Sequence, residues 1–160
     1  MSRSLCGTRA RWLLLTALGA WGCGSNQAQL PSAELERQAV RFMAEYAQDL
    51  RAHRREALIG RYDPRGVYVL GNGSKRFLPA DTMAARYRTR WQGPAFFEWS
   101  DLSYEVIAPS AVVVAGKFLW KAPSRPDTTR VSYTGLLVLH AGQLRIRLED
   151  ESAQPAPPGP

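Results

Sequence analysis

A chain of 160 residues is long enough for one domain, and its two cysteines cannot supply a disulfide framework. The formal charge of +7 arises from 21 basic and 14 acidic residues, but the arginines are scattered. Arg51, Arg54 and Arg55 cluster at a helix end, where a solvated face favoured by the helix dipole explains them, and binding of nucleic acid is not expected without a denser basic stripe.

The N-terminus carries Arg3, Arg9 and Arg11, has no acidic residue before Glu34, and runs into an apolar stretch over residues 12–21. A basic start followed by about ten apolar residues has the pattern of a secretory signal peptide, assigned to residues 1–22, and is too short for a permanent spanning helix. A short uncleaved anchor is the alternative. Ala20-Trp21-Gly22-Cys23 is similar to the bacterial lipobox: Gly22 and Cys23 fit it, whereas Ala20 and Trp21 depart from it. The expectation is a cell-envelope lipoprotein anchored by lipid on Cys23, of the outer-membrane type because Gly24 and Ser25 follow the cysteine. Ordinary cleavage, giving a periplasmic or secreted soluble domain, is the other outcome. Cys6 lies inside the signal, so lipidation of Cys23 would leave no free thiol in an oxidising compartment. Loss of the three signal arginines lowers the net charge to +4. Residues 23–31 then form the lipidated cysteine and a tether, residues 32–152 a single domain, and residues 153–160 a disordered proline-rich tail.

Within the domain, a helix is expected from Ser32 to about His53. Ser32 stands as N-cap behind Pro31, Glu34 and Glu36 fall in the first turn, and Leu35, Ala39, Phe42, Met43, Tyr46 and Leu50 share one face. A second helix covers residues 55–61 and is ended by Asp63-Pro64 and Gly66. Residues 67–70 read as a strand, Gly71-Asn72-Gly73-Ser74 as a hairpin turn, and residues 75–78 as the return strand. Pro79 opens a third helix with Ala80, Met83, Ala84, Tyr87 and Trp91 along one face.

The remainder is strand-rich. Segments 102–107, 111–121, 130–140 and 143–150 are separated by Pro109-Ser110, residues 123–126 and Ala141-Gly142. Such short connections imply antiparallel neighbours, and helices followed by a long meander imply the α+β class. The expected core includes Leu35, Phe42, Tyr46, Leu58, Val113, Leu137, Leu139, Ile146 and Leu148.

The sequence resembles the nuclear transport factor 2-like superfamily, which includes ketosteroid isomerases and SnoaL-like polyketide cyclases. Three stretches carry the resemblance: Phe42-Met43-Ala44-Glu45-Tyr46-Ala47 through Ala57-Leu58-Ile59 to Tyr62; residues 101–106 followed by 111–118; and residues 133–139 followed by 142–152. It implies a cone, a curved antiparallel sheet of about six strands closed by three helices around a pocket, and a possible homodimer. Carried over residue by residue, Tyr46 matches the tyrosine that ketosteroid isomerases place on the first helix, but their aspartate base position falls on Leu70. Nor is there a carboxylate near Thr134-Gly135 for their second oxyanion-binding acid. Proton abstraction beside a carbonyl needs a base within hydrogen-bond reach, which leucine cannot provide. Many SnoaL-like members carry a histidine on the last strand, where this chain has Asp150.

His53 and His140 have no ligand spacing around them, so neither a metal nor a cofactor is implied. What remains is an aromatic set, Tyr46, Tyr62, Tyr68, Trp91, Trp99, Tyr104, Trp120 and Tyr133. Each reads singly as core packing; together they suit the walls of a pocket for a small apolar ligand. Strict alternation puts Asp150 on the inner face with Leu144, Ile146 and Leu148, as a candidate polar anchor of that pocket; its place near the strand end, where solvent would account for it, is the alternative. The pocket is therefore expected to comprise Tyr46, Tyr62, Tyr68, Trp91, Tyr104, Trp120 and Asp150. Two functions follow: a non-catalytic binding or interaction module, or a SnoaL-like enzyme of isomerase or cyclase type using Asp150 and Tyr46.

Overall fold

The computed structural model describes residues 31–154; the expected signal peptide, Cys23, most of the expected tether and residues 155–160 lie outside the described residues. Three helices, α1 (Ser32–Arg51), α2 (Arg55–Arg61) and α3 (Ala80–Thr89), cover a sheet of six strands. The strands are β1 (Val67–Gly71), β2 (Ser74–Leu78), β3 (Phe96–Ala108), β4 (Ala111–Lys121), β5 (Thr129–His140) and β6 (Gln143–Ala153). Their order across the curved, unclosed sheet is β2-β1-β6-β5-β4-β3.

The three hairpins of the meander and the β1–β2 hairpin are antiparallel, as their short connections require. The all-antiparallel expectation fails at one seam. β1 and β6 are far apart in sequence, so no tight turn constrains their direction, and they pair in parallel. The boundaries also move. Pro31 rather than Ser32 is the N-cap, its carbonyl accepting from Glu34 N at 2.9 Å and Leu35 N at 3.1 Å. β3 begins six residues earlier than expected, at Phe96, and β6 runs through Ala153, beyond the expected start of the tail.

Three register shifts interrupt the strands; one, between Val106 and Ala108, lies beside the β3–β4 turn, and two β-bulges reset which residues face the cavity. In β6, Leu148 opposes Leu136 while Ile146 opposes Leu137, which leaves Arg147 as an extra residue. Leu144 and Ile146 face the core before the bulge, whereas Glu149 does so after it. In β3, three steps from Ser100 to Ser103 match two steps from Lys117 to Ala115. Asp101 takes φ +58° there, and Gly116 makes room: a Cβ on it would lie 2.7 Å from both the Asp101 carbonyl oxygen and Leu102 Cδ2.

These shifts correct the expected core. Leu35, Phe42, Tyr46, Leu58, Leu137 and Ile146 are buried and Leu139 is half-buried. Val113 is outside the core because Val112 and Val114 occupy the inner face of β4. Leu148 is only half-buried, since the bulge turns it outward. The arginine group at the end of α1 is likewise more than a solvated face. Arg54 Nε donates to the buried Asp49 at 2.6 Å, Arg61 pairs with the same carboxylate from α2, and Arg55 Nη1 donates to the Arg88 carbonyl at 2.9 Å. No helix among the described residues is long and apolar enough to cross a membrane.

Leu137→Ala, at a site 0% exposed, is expected to cost about 2–5 kcal/mol in urea unfolding. Leu148→Ala should cost less, because the residue is only half-buried. Equal losses would contradict the bulge.

Candidate functional site

A cavity of about 340 Å³ opens between the helices and the inner face of the sheet. Its walls are aromatic: Tyr46, Tyr62, Tyr87, Trp91, Phe97, Trp99, Phe118 and Trp120 all line it. The helices supply one side and β3 and β4 the other. Phe97 and Trp99 meet edge-on at 4.9 Å, Trp99 Nε1 donates to the Met43 carbonyl at 3.2 Å, and Tyr87 packs on Trp91 at 5.3 Å. The polar groups converge from β6 and α3, as Glu149, Glu151 and Arg86. Among the described residues no group of His, Cys, Asp and Glu side chains has the makings of a metal site.

At the centre is Glu149, 5% exposed. Tyr46, from mid-α1, donates to Glu149 Oε1 at 3.1 Å, and Tyr62, just past α2, donates to Oε2 at 3.0 Å. The Tyr46 and Tyr62 hydroxyls are themselves 3.0 Å apart, and Tyr62 and Tyr87 hydroxyls are 2.8 Å apart. Four short oxygen–oxygen contacts thus share the three protons of three tyrosines. A protonated Glu149 supplies the fourth. In that state the Oε2 contact reverses: the Glu149 O–H donates to Tyr62, Tyr62 donates to Tyr46, Tyr46 donates to Oε1, and Tyr87 donates to Tyr62.

Electrostatics agree with that proton count. Burial away from water, aided by the negative charge of Glu151, pushes the Glu149 carboxyl up to about 8, against the opposing bonds from Tyr62 and Tyr46 and the charge of Arg86. Burial likewise raises the phenols of Tyr46, Tyr62 and Tyr87. Glu151 is exposed where it lines the cavity, and desolvation by the surrounding protein raises its carboxyl against the charge of Arg86.

Of the residues expected in the pocket, Tyr46, Tyr62, Trp91 and Trp120 line it. Three do not. Tyr68 lies on the outer face, 37% exposed, beside Phe77 with the Arg147 guanidinium over its ring. Tyr104, past the β3 bulge, is half-buried against the core without reaching the cavity. Asp150 points away from the cavity because the β6 bulge gives the inner face to Glu149 and Glu151; it accepts instead from Ser152 Oγ at 3.3 Å.

Leu70 also faces outward, and Val69 is the residue of β1 that lines the cavity. No carboxylate stands at Thr134-Gly135, but Gly135 is the register partner of Glu149, so the adjacent strand brings an acid to that level of the cone. Sequence reasoning missed Glu149, Glu151, Tyr87 and Arg86. The overlooked signal was Glu149-Asp150-Glu151, in which any one-residue shift exchanges one inward carboxylate for two.

A carboxyl raised from an unfolded value near 4.5 to about 8 stabilises the fold fully below the lower value, and that contribution is lost as pH rises through the upper one. Relative to Glu149→Gln, the wild type should lose stability by up to about 1.4 kcal/mol per pH unit across that window. Parallel stability–pH profiles for the two proteins would show that Glu149 folds ionised.

No family model matches the chain, and no curated protein matches it. Solved structures do. An NTF-2 like protein of unknown function from Shewanella oneidensis superposes with a TM-score of 0.64 at 16% identity, over 72% of this chain and 97% of that one. A provisionally assigned scytalone dehydratase from Novosphingobium aromaticivorans gives 0.59 at 14% identity, over 78% of this chain and 87% of that one. A provisionally assigned ketosteroid isomerase from Parabacteroides distasonis gives 0.60 at 11% identity, over 75% and 88%. At these identities the likeness is one of fold: the chain has the nuclear transport factor 2-like fold, shared by proteins of unknown function and by proteins provisionally assigned as dehydratases and isomerases.

Proposed function

We propose that this chain is a small-molecule-binding domain of the cell envelope, exported by residues 1–22 and tethered through lipid on Cys23. The observation that carries the binding role is the aromatic cavity converging on Glu149. Its volume lies at the small end of ligand sites, and its plan of apolar walls with few fixed polar groups is the one by which such sites orient a ligand. Both Glu149 oxygens are already engaged by tyrosines, which suits an anchor held in place better than a freely reacting base.

One observation favours a second, enzymatic reading. A carboxyl near 8 within a tyrosine network has the acid strength that proton transfer near neutrality requires. In that reading Glu149 takes the role first given to Asp150, with Tyr46 beside it. Solvent deuterium exchange into a simple cyclic ketone, accelerated by the wild type and lost in Glu149→Gln, would put this reading first.

The binding role is tested by titrating the intrinsic tryptophan fluorescence with a panel of neutral, cationic and anionic aryl-alkyl compounds. At least one should give saturable quenching, abolished by Val69→Trp, which fills the cavity from β1. Absence of saturable binding by every member would overturn it. For the anchor, Cys23→Ala should move the protein from the membrane to the soluble fraction; a wild type already soluble after export would refute lipidation.

A further inference from the structure

Within that binding role, the charges around the cavity restrict the ligand class. Glu149 and Glu151 lie two residues apart on one face of β6, and both line the cavity. Neither forms a contact ion pair among the described residues; the seven pairs there involve other carboxylates. Arg86 is the basic side chain that lines the same space, so two carboxyls face one guanidinium. The remaining walls present tryptophan and tyrosine rings, whose faces attract cations and whose bodies accept apolar groups.

With both carboxyls ionised, a ligand carboxylate would meet two negative charges and one positive, and a neutral alcohol would leave that field unused. We infer that the cavity is a receptor for a compact organic cation, an aryl- or alkyl-substituted primary or secondary ammonium, held between Glu149 and Glu151 with its apolar part against Trp91, Trp99 and Trp120. This rests on the binding role proposed above.

Binding of such a cation is coupled to proton release. The groups facing Glu149 are Tyr46 from α1, Tyr62 after α2, Arg86 and Tyr87 from α3, Tyr133 from β5, and Glu151 on its own strand; Asp150 lies on the other face, next to Glu151. Burial raises the carboxyls of Glu149 and Glu151, and a bound ammonium favours their ionised forms. Affinity therefore rises with pH as these carboxyls ionise, until the ligand amine itself loses its proton.

The test compares 2-phenylethylamine, 2-phenylethanol and phenylacetate, similar in size and different in charge, by tryptophan quenching of the intact domain at pH 6 and pH 8.5. The amine should bind about tenfold or more tighter than the alcohol at pH 8.5, and the margin should shrink at pH 6. Glu151→Gln, which removes a cavity carboxylate outside the tyrosine network, should reduce the preference. Glu149→Gln should do the same, and circular dichroism establishes whether each variant is folded. If the alcohol or phenylacetate binds as tightly as the amine, selection for a cation is wrong and the pocket remains a binding site for another class. If none of the three binds while another member of the panel does, the cation inference falls alone; if the whole panel fails, it falls with the binding role.

Discussion

Glu149 is an acid buried to 5% exposure at the wall of the cavity, and the docking of the helices is tied to that placement. An isolated ionised carboxylate in such surroundings is costly, so the group either takes up a proton or recruits donors. Here it does both. Tyr46, Tyr62 and Tyr87 come from three separate helical segments, and their hydroxyls meet only because each segment is docked on the sheet at the depth of one residue of β6. The same bonds that satisfy the carboxyl thereby fix how α1, α2 and α3 sit over the cone.

Other buried acids hold the same elements by a different means. Asp49 on α1 is bridged by Arg54 and Arg61, which clasp α2 against it. Asp63 is fully buried and accepts from the Arg65 backbone at 2.8 Å, and the hydrogen-bonded Arg65 guanidinium holds its carboxyl below the usual range. Those carboxylates have guanidinium partners. Glu149 has hydroxyls, which donate without carrying charge, and it is held near neutrality. That difference in partner separates the structural acids from the one at the cavity, and pairs of acids pushed apart in this way often mark functional sites.

The bulges decide what the cavity contains. A strand with unbroken alternation would have presented Leu148 and Asp150; with Arg147 inserted, β6 presents Glu149 and Glu151. The extra residue is held from outside, where Arg147 Nη1 donates to the Gly66 carbonyl at 2.6 Å and its guanidinium lies over Tyr68 and Phe77. The β3 bulge, admitted by Gly116, lets Phe97 and Trp99 face the cavity while Leu102 and Val106 pack on the core beyond it. In both strands the irregular residue is what aims the side chains of the site.

The sequence by itself determined the elements and their class. The apolar periodicity of residues 35–50, the Asn72-Gly73 turn and the alternating segments after residue 101 are local signals, set by backbone geometry and by burial on one face. Tyr46 and Tyr62 were legible as pocket residues for the same reason, since helix periodicity and the end of a short helix place them inward. The inner carboxylate was not legible. A bulge depends on how one strand meets its neighbour, and nothing near Arg147 distinguishes an extra residue from a regular one until Gly66, Tyr68 and Phe77 are brought beside it. The parallel seam between β1 and β6 likewise joins segments whose relation no short loop constrains. Only the tertiary structure, by counting protons among hydroxyls drawn from distant parts of the chain, decided that the acid at the centre of this protein is Glu149.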